Sequence, residues 1–430
     1  MNQTLTEKLI CRKSRGPVVA GSAYHRVPVD LVLGHDATIS LLIDRFKRTA
    51  RHVWDPSRCL FAADHFAPPS TPERADILRR YLDFVRAESI PDDLLYRGIS
   101  HQLLAEDPRS GPGIIVCGAD SHTIMAGALG CFATGLGSTD ILALLMTGEV
   151  FLSVPQSIRV NLRGELPDWL FGKDLALELL SRIGEGGAVG KALEFHDMTE
   201  NGVDMSGRLT MTNMSVEAGA TNGVFVPDRI LSDFLASRNG SGPGTIGTSN
   251  DCVEHVTLAP DEGAHYEGEI ELAVDRIPPL AALPGSPADV VALRDIEHTR
   301  VDQVFIGSCA GGRTEDIGAA AKLLRARRVA PGVRLVVTPA SQRIYNECLK
   351  DGSFEDLSQA GAMITNSSCG GCGGIDKGLI GAGEVCVSTA NRNFRGRMGS
   401  PDGRIYLTSP LSAAAAALTG RLVDPRELLD

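Results

Sequence analysis

Alternating strand and helix patterns place this 430-residue chain in the α/β class. The clearest run lies in the last third. "VDQVFIG" reads as a strand, "RTEDIGAAAKLLRARRV" as a helix, "VRLVVTP" as a strand and "SQRIYNECLKDG" as a helix. Strands separated by helices form a parallel sheet covered on both faces. Two other segments agree. Ile114–Cys117 is short, apolar and β-branched and ends at Gly118, as a buried strand does. "GKDLALELLSRIG" is an amphipathic helix with an early acid, a late arginine and a closing glycine. At roughly 100–200 residues per domain, the length allows two to four domains.

Taken in order, "IPDDLLYRGIS" leads to His101, and "GIIVCGADSHT" supplies the buried strand. Thr123–Gly137 is dense in Gly, Ala and Leu and predicts a tightly packed helix or turn-helix region. "SIRVNLRGELP" alternates apolar and polar residues and predicts an exposed edge strand that opens a second unit near Val154. Ser237–Asn250 is the most linker-like stretch, and Leu283–Val290 is a weaker seam. "AGAMITN" is a further strand, and Ala413–Ala417 is helix-forming. No internal repeat is visible.

Composition removes several function classes. There are 53 Asp+Glu against 42 Lys+Arg, a net charge of −11, which argues against a broad nucleic-acid surface. No apolar run reaches the roughly 18 residues of a membrane span. The N-terminus has no apolar stretch of signal-peptide type, so the cytoplasm is the expected compartment. The ten cysteines fit a reducing space, and Cys59, Cys117, Cys131, Cys252 and Cys348 read as small buried hydrophobes.

The glycines 242, 244 and 247 satisfy G-x-G-x-x-G, but no strand precedes them, so they read as a loop. Cys309 is different. It follows the Val304–Ile306 strand in "GSCAGGR", at the end where α/β proteins bind ligands. It reads either as a nucleophile on a tight turn or as a metal ligand. "NSSCGGCGG" adds Cys369 and Cys372 in a glycine-rich C-x-x-C loop, after the "AGAMITN" strand. No fourth ligand stands beside this pair, as a structural zinc site requires. Three thiolates with an open position suit an iron–sulfur cube that has one iron free for substrate.

Ionisable groups also cluster beside small residues. "ADHF" contains Asp64 and His65, "GISHQ" His101, and "GADSHT" Asp120, Ser121 and His122. "TNMSVEAGAT" carries Asn213 and Glu217. Carboxylate neighbours orient histidines and tune their protonation. "STANRNFRGR" supplies Asn391 with Arg392 and Arg397, whose guanidinium groups can hold carboxylates bidentately.

The ordered set "ADHF", "GISHQ", "GADSHT", "NMSVEAGAT", "GSCAGGR", "SCGGC", "STANRNFRGR" and "LTSP" resembles the aconitase superfamily. It is most similar to the large subunits of the 3-isopropylmalate dehydratase and homoaconitase families, over nearly the whole chain. The resemblance implies three aconitase-type domains, 1–153, 154–285 and 286–430, with parallel or mixed sheets around a [4Fe–4S] cluster. Cys309, Cys369 and Cys372 hold that cluster in this reading, with Asn213 and Asn391 in its surroundings. Asp64 with His65 protonates the departing hydroxyl. His101 with Asp120, and His122 with Glu217, pair around the iron-bound water. His35, Ser121, Arg392 and Arg397 meet substrate.

The implied activity is dehydration or isomerisation of a hydroxy di- or tricarboxylate of the 3-isopropylmalate, methylmalate, dimethylmalate or homocitrate type. Only 20 residues follow Pro410. The fourth, swivelling domain of single-chain relatives is therefore expected on a separate small subunit. The rival expectations are a cysteine-dependent hydrolase using Cys309 and a non-catalytic cluster-binding sensor. Three departures from the family pattern bear on which hydroxy acid is bound. "GHDAT" puts His35 at a position usually Gln, Ala310 and Gly311 replace Thr-Asn after Cys309, and "SSCGGC" leaves a barer wall near the open iron.

Overall fold

The computed structural model describes residues 2–14, 18–22, 24–239, 258–297 and 299–429. Three sheets carry the fold. The first joins β1 (Leu31–His35), β2 (Cys59–Ala62), β3 (Ile115–Gly118) and β4 (Phe132–Gly135), all parallel, in the order β2-β1-β3-β4. Its strands are four or five residues long and almost entirely buried, which is why they read as plain apolar runs. His25–Pro28 and Glu149–Leu152 form a separate antiparallel ribbon.

The second sheet joins β5 (Gln156–Gly164), β6 (Lys191–Thr199), β7 (Asn222–Phe225) and β8 (Gly268–Ala273), in the parallel order β8-β5-β6-β7. The segment expected at an exposed edge, β5, is therefore central. "GEIELA" covers it as β8, and the polar residues of β5 meet partners there: Arg163 Nε donates to Glu271 Oε2 at 3.0 Å.

The third sheet has seven strands: β9 (Leu280–Ala282), β10 (Val290–Ala292), β11 (Gln303–Gly307), β12 (Arg334–Thr338), β13 (Met363–Ile364), β14 (Val385–Ser388) and β15 (Arg404–Thr408). Their order is β10-β9-β15-β14-β11-β12-β13. The last five positions are parallel, and β9 and β10 are antiparallel additions. Leu283–Asp289 is thus the turn of the β9–β10 hairpin rather than a seam, and the third sheet begins before residue 286.

Two other expectations change. Thr123–Gly137 is not one helical unit: Ser121–Leu129 is a 3-10 run, followed by β4. The run is pressed against β7, where a Cβ at Gly127 would fall 1.6 Å from the Gly223 carbonyl oxygen. The helix after Cys309 spans Thr314–Leu324, short of "RARRV", because Ala326 takes a left-handed backbone with φ 57°. The glycines 242, 244 and 247, residues 240–250 of the linker-like stretch and Cys252 lie outside the described residues.

The helices that matter for the site are α1 (Ser100–Glu106), α2 (Gly172–Ile183), α3 (Met205–Met214), α4 (Thr314–Leu324), α5 (Gln342–Lys350) and α6 (Pro410–Thr419). In α6, Ala413–Ala417 are all fully buried, so small side chains let it lie close to α4. Strand β11 shows how the layers join. Val304 and Ile306 enter the core shared with Leu33 and Val116 of the first sheet, while Phe305 enters the core shared with Val160 and Phe195 of the second. The carboxyl ends of β1, β2 and β3 meet, with His35 4.0 Å from Asp64 Oδ1 and 3.6 Å from Asp120 Oδ2, and β11 packs beside them through the shared core. Among the described residues no helix is long and apolar enough to cross a membrane.

Candidate active site

Each strand end delivers a polar group. His35 ends β1, Asp64 and His65 follow β2, Asp120–His122 follow β3, and Cys309 follows β11. Ser308, just before that cysteine, takes a left-handed φ of 75°. Such a turn is strained for a non-glycine residue and is typical of functional positions.

Three histidine–carboxylate pairs result. His65 Nδ1 lies 2.6 Å from Asp64 Oδ1. Asp64 is fully buried, and its Oδ2 accepts the Ser100 N–H at 2.6 Å. Burial works against its charge, but His65, His35 and that amide hold it below the usual carboxylate range. Burial likewise opposes the His65 cation, and Asp64 and Asp36 overcome it, raising His65 to about 9. His101 Nε2 lies 3.1 Å from Asp120 Oδ1. His122 Nε2 lies 3.0 Å from Glu217 Oε1 and its Nδ1 3.3 Å from Asp120. Burial opposes charge here too, yet Asp120 and Glu217 raise His122 to about 9, and Asp120 is held well below its ordinary value by His101 and His122. In each of the three pairs the carboxylate favours the charged imidazole, His101 included, which Asp120 raises well above its ordinary value against burial.

His35 joins the halves. Its ring stacks on His65 with centroids 4.1 Å apart, and its Nε2 lies 3.6 Å from Asp120 Oδ2 and 3.4 Å from Thr38 Oγ1. Arg392 grips Glu217 through Nε at 2.9 and 3.1 Å and reaches Ser121 Oγ at 3.1 Å. Arg397 turns its guanidinium toward Cys372 and Cys369 instead.

The three cysteines converge from two loops. Asn213 Nδ2 donates to Cys309 Sγ at 3.1 Å, and Asn391 Nδ2 lies 3.4 Å from the same sulfur. The Cys372 thiol donates to Asn391 Oδ1 at 3.3 Å, so one amide spans both loops. Burial raises Cys309, but His101 and His122 bring it down to about 7. Cys369 and Cys372 share a hydrogen bond that raises the first and lowers the second, with Arg397 favouring the Cys372 thiolate. Gly374, with φ 66°, closes this loop where a Cβ would meet the Arg397 carbonyl oxygen at 2.5 Å.

The description "Aconitase family (aconitate hydratase)" matches residues 8–298 and 293–420. The chain belongs to the aconitase family. A 3-isopropylmalate dehydratase large subunit of Syntrophus aciditrophicus is 41% identical over 431 residues, all of both chains. One from Archaeoglobus fulgidus is also 41% identical over the full length of both. A protein of Methanosarcina mazei named "Probable methanogen homoaconitase large subunit" is 40% identical, covering 93% of this chain and 99% of its own. The chain is thus an aconitase-family hydro-lyase with the family's α/β fold, and membership implies an iron–sulfur cluster.

The residues present fit such a group. Among the described residues, the one set of His, Cys, Asp and Glu with ligand atoms all within 4.8 Å is His35, Asp36, Asp64 and His65. Cys309 and Cys372 meet the same Asn391 amide at 3.4 and 3.3 Å, and Cys369 shares a hydrogen bond with Cys372, so the three thiols are linked side by side. Both ring nitrogens of His101, Nδ1 of His35 and Nε of Arg397 are buried without a well-directed hydrogen-bond partner, and all belong to this region.

Three contributors escape a sequence reading. Asp36 accepts the His65 and Phe66 N–H groups at 3.1 and 2.7 Å; its place beside His35 in "GHDAT" was the available signal. Arg313, at the end of "GSCAGGR", is buried and donates to the Cys309 carbonyl oxygen and to Thr210 Oγ1. Lys173 is buried at the start of α2, marked only as a charge at the head of an apolar helix.

Proposed function

We propose that this chain is the large subunit of a two-subunit hydro-lyase that removes water from a hydroxy di- or tricarboxylate and can return it to give the isomer. It holds one [4Fe–4S] cluster through Cys309, Cys369 and Cys372. The observation that carries this reading is the Asn391 amide, which meets Cys309 at 3.4 Å and Cys372 at 3.3 Å from separate loops. The relatives' names, 3-isopropylmalate dehydratase and homoaconitase large subunits, support both the substrate class and a separate small subunit.

When bound, the cluster supplies a Lewis-acidic iron without a protein thiolate, which polarises a substrate hydroxyl. The chain's own residues do the rest. His65, held as a cation by Asp64, has a proton to give to a leaving hydroxide. His101 and His122, fixed by Asp120 and Glu217, orient water in the same space. Arg392 and Arg397 offer planar forks to substrate carboxylates, and Ser121 shares the Arg392 end. Substrate must compete with Glu217 for Arg392, which couples binding to the His122–Glu217 pair. The pull of His101 and His122 on the Cys309 thiol also suits a thiol nucleophile, but that reading leaves Cys369, Cys372 and Arg397 without work.

The test is co-expression with a small-subunit homologue, anaerobic purification, and an ultraviolet assay for alkene formation across the hydroxy-acid series. Turnover of one such acid is expected of the two-subunit form. Full turnover by this chain alone removes the two-subunit reading.

A further inference from the structure

Lys173 is 1% exposed, at the first turn of α2. Its Nζ donates to the Ala390 carbonyl oxygen at 2.9 Å and meets Met214 Sδ at 3.2 Å. Among the described residues it makes no ion pair. An ammonium buried without a compensating anion costs several kcal/mol in general. Something must offset it.

The carboxylates nearby are already engaged. Asp174 accepts the Phe171 N–H at 3.1 Å and the Leu280 N–H at 3.2 Å, and burial pushes it up to about 7. Asp316 acts on Lys173 from beyond ion-pair reach. Its Oδ2 accepts the Arg313 N–H at 3.0 Å, and burial raises it to about 7 as well. Arg313, a second buried cation that makes no ion pair among the described residues, adds to the positive side.

Among the described residues the other groups that favour its charge are the sulfurs of Cys309 and Cys372, and both contacts of Lys173 lie one residue from groups that touch those sulfurs. Met214 follows Asn213, which bonds Cys309, and Ala390 precedes Asn391, which meets Cys309 and Cys372. Burial lowers Lys173 to about 8, while Asp316, Cys309 and Cys372 favour its charge.

We propose that Lys173 is a positioning residue for the cluster: a buried cation behind the cysteine loops that offsets the thiolate charge, raising the cluster's reduction potential and slowing its loss. The inference rests on the three-cysteine reading above. Net charge and nearby dipoles are main determinants of iron–sulfur potentials, so one buried charge suffices to move them.

The experiment uses the anaerobically purified holoprotein in three forms: wild type, Lys173→Met and Lys173→Gln. The Gln variant keeps a donor for Ala390 but carries no charge. Midpoints are read by reductive titration followed by electron paramagnetic resonance, and iron loss by transfer to a ferrous chelator. Thermal melting reports the fold. Both variants are expected to shift the one-electron equilibrium about tenfold toward the oxidised state, about 59 mV lower in potential, and to lose iron several-fold faster. Unchanged midpoints in both variants overturn the proposal, including where melting falls and the role is structural. A wild-type midpoint in Lys173→Gln, with only Lys173→Met shifted, also overturns it, because the hydrogen bond then matters and not the charge. Wild-type protein that binds no iron overturns the underlying three-cysteine reading, a result separate from either variant's.

Discussion

Replacing Asp64 by Asn removes the charge that keeps His65 protonated while preserving shape and the Ser100 hydrogen bond. His65 is raised from 6.5 to about 9, and its side chain is 15% exposed. At 1.36 kcal/mol per unit, this is an interaction of roughly 3 kcal/mol. The sign follows from the raised value. The His65 contribution to stability is complete below about 6.5 and fades as pH climbs through about 9. The Asp64 contribution, from a lowered carboxylate, is present above its unfolded value of about 3.9 and is lost only in strong acid. Wild type should therefore exceed Asp64→Asn in stability most clearly near pH 5–6.5, with the gap narrowing toward pH 9. Nitrogen-labelled imidazole resonances of the iron-free chain give the His65 titration directly, and urea unfolding across the same range gives the gap. The variant's His65 should fall back toward about 6.5. A His65 that still titrates near 9 in Asp64→Asn would refute the pairing as the source of its proton.

Arg392→Lys should raise KM more than it lowers stability. One ammonium cannot hold both Glu217 oxygens and Ser121, a loss of about 1–3 kcal/mol in charge-assisted bonding; unchanged kinetic constants in the assembled enzyme place Arg392 outside the substrate's reach. Arg208 is fully buried and bonds Asp228 at 2.7 Å and Asp197 at 2.8 Å. Arg208→Met should cost about 3–5 kcal/mol in urea unfolding while leaving iron content per folded chain as in wild type. Gly127→Ala should lower the melting temperature, at a cost of about 1–3 kcal/mol or more, since its Cβ has no space beside Gly223; a melt equal to wild type contradicts that packing.

The fold was legible where one element carries its own pattern. Strands β11 and β12 and helices α2 and α5 show their periods within a dozen residues. The placing of β5 was not legible, because its neighbour β8 lies about a hundred residues on and its own alternation suits an edge equally well. Tight helical packing at Thr123–Leu129 was legible in its small residues, but the strand that follows at Phe132–Gly135 was not, because it is defined by pairing with β3. At the site, residue types spoke clearly and partnerships did not. His122 and Glu217 stand 95 positions apart, and spacing cannot join them; resemblance suggested that pair, and the fold brings the two side chains to 3.0 Å. Lys173 and Arg313 stayed hidden because a lone cation at a helix start reads as solvated until burial is known. His35 was expected to meet substrate, and the structure sets it between His65 and Asp120, a placement that needs three strand ends at once.

The central claim is that Cys309, Cys369 and Cys372 together hold one iron–sulfur cube. Iron and acid-labile sulfide, counted per chain in anaerobically purified wild type and in Cys309→Ser, Cys369→Ser and Cys372→Ser, test it most directly. The account predicts about four irons and four sulfides in wild type, broad absorbance in the visible blue, and loss of stable cluster in each variant. Full iron content in any one variant would remove that cysteine from the ligand set, and a colourless, iron-free wild type would contradict the account outright.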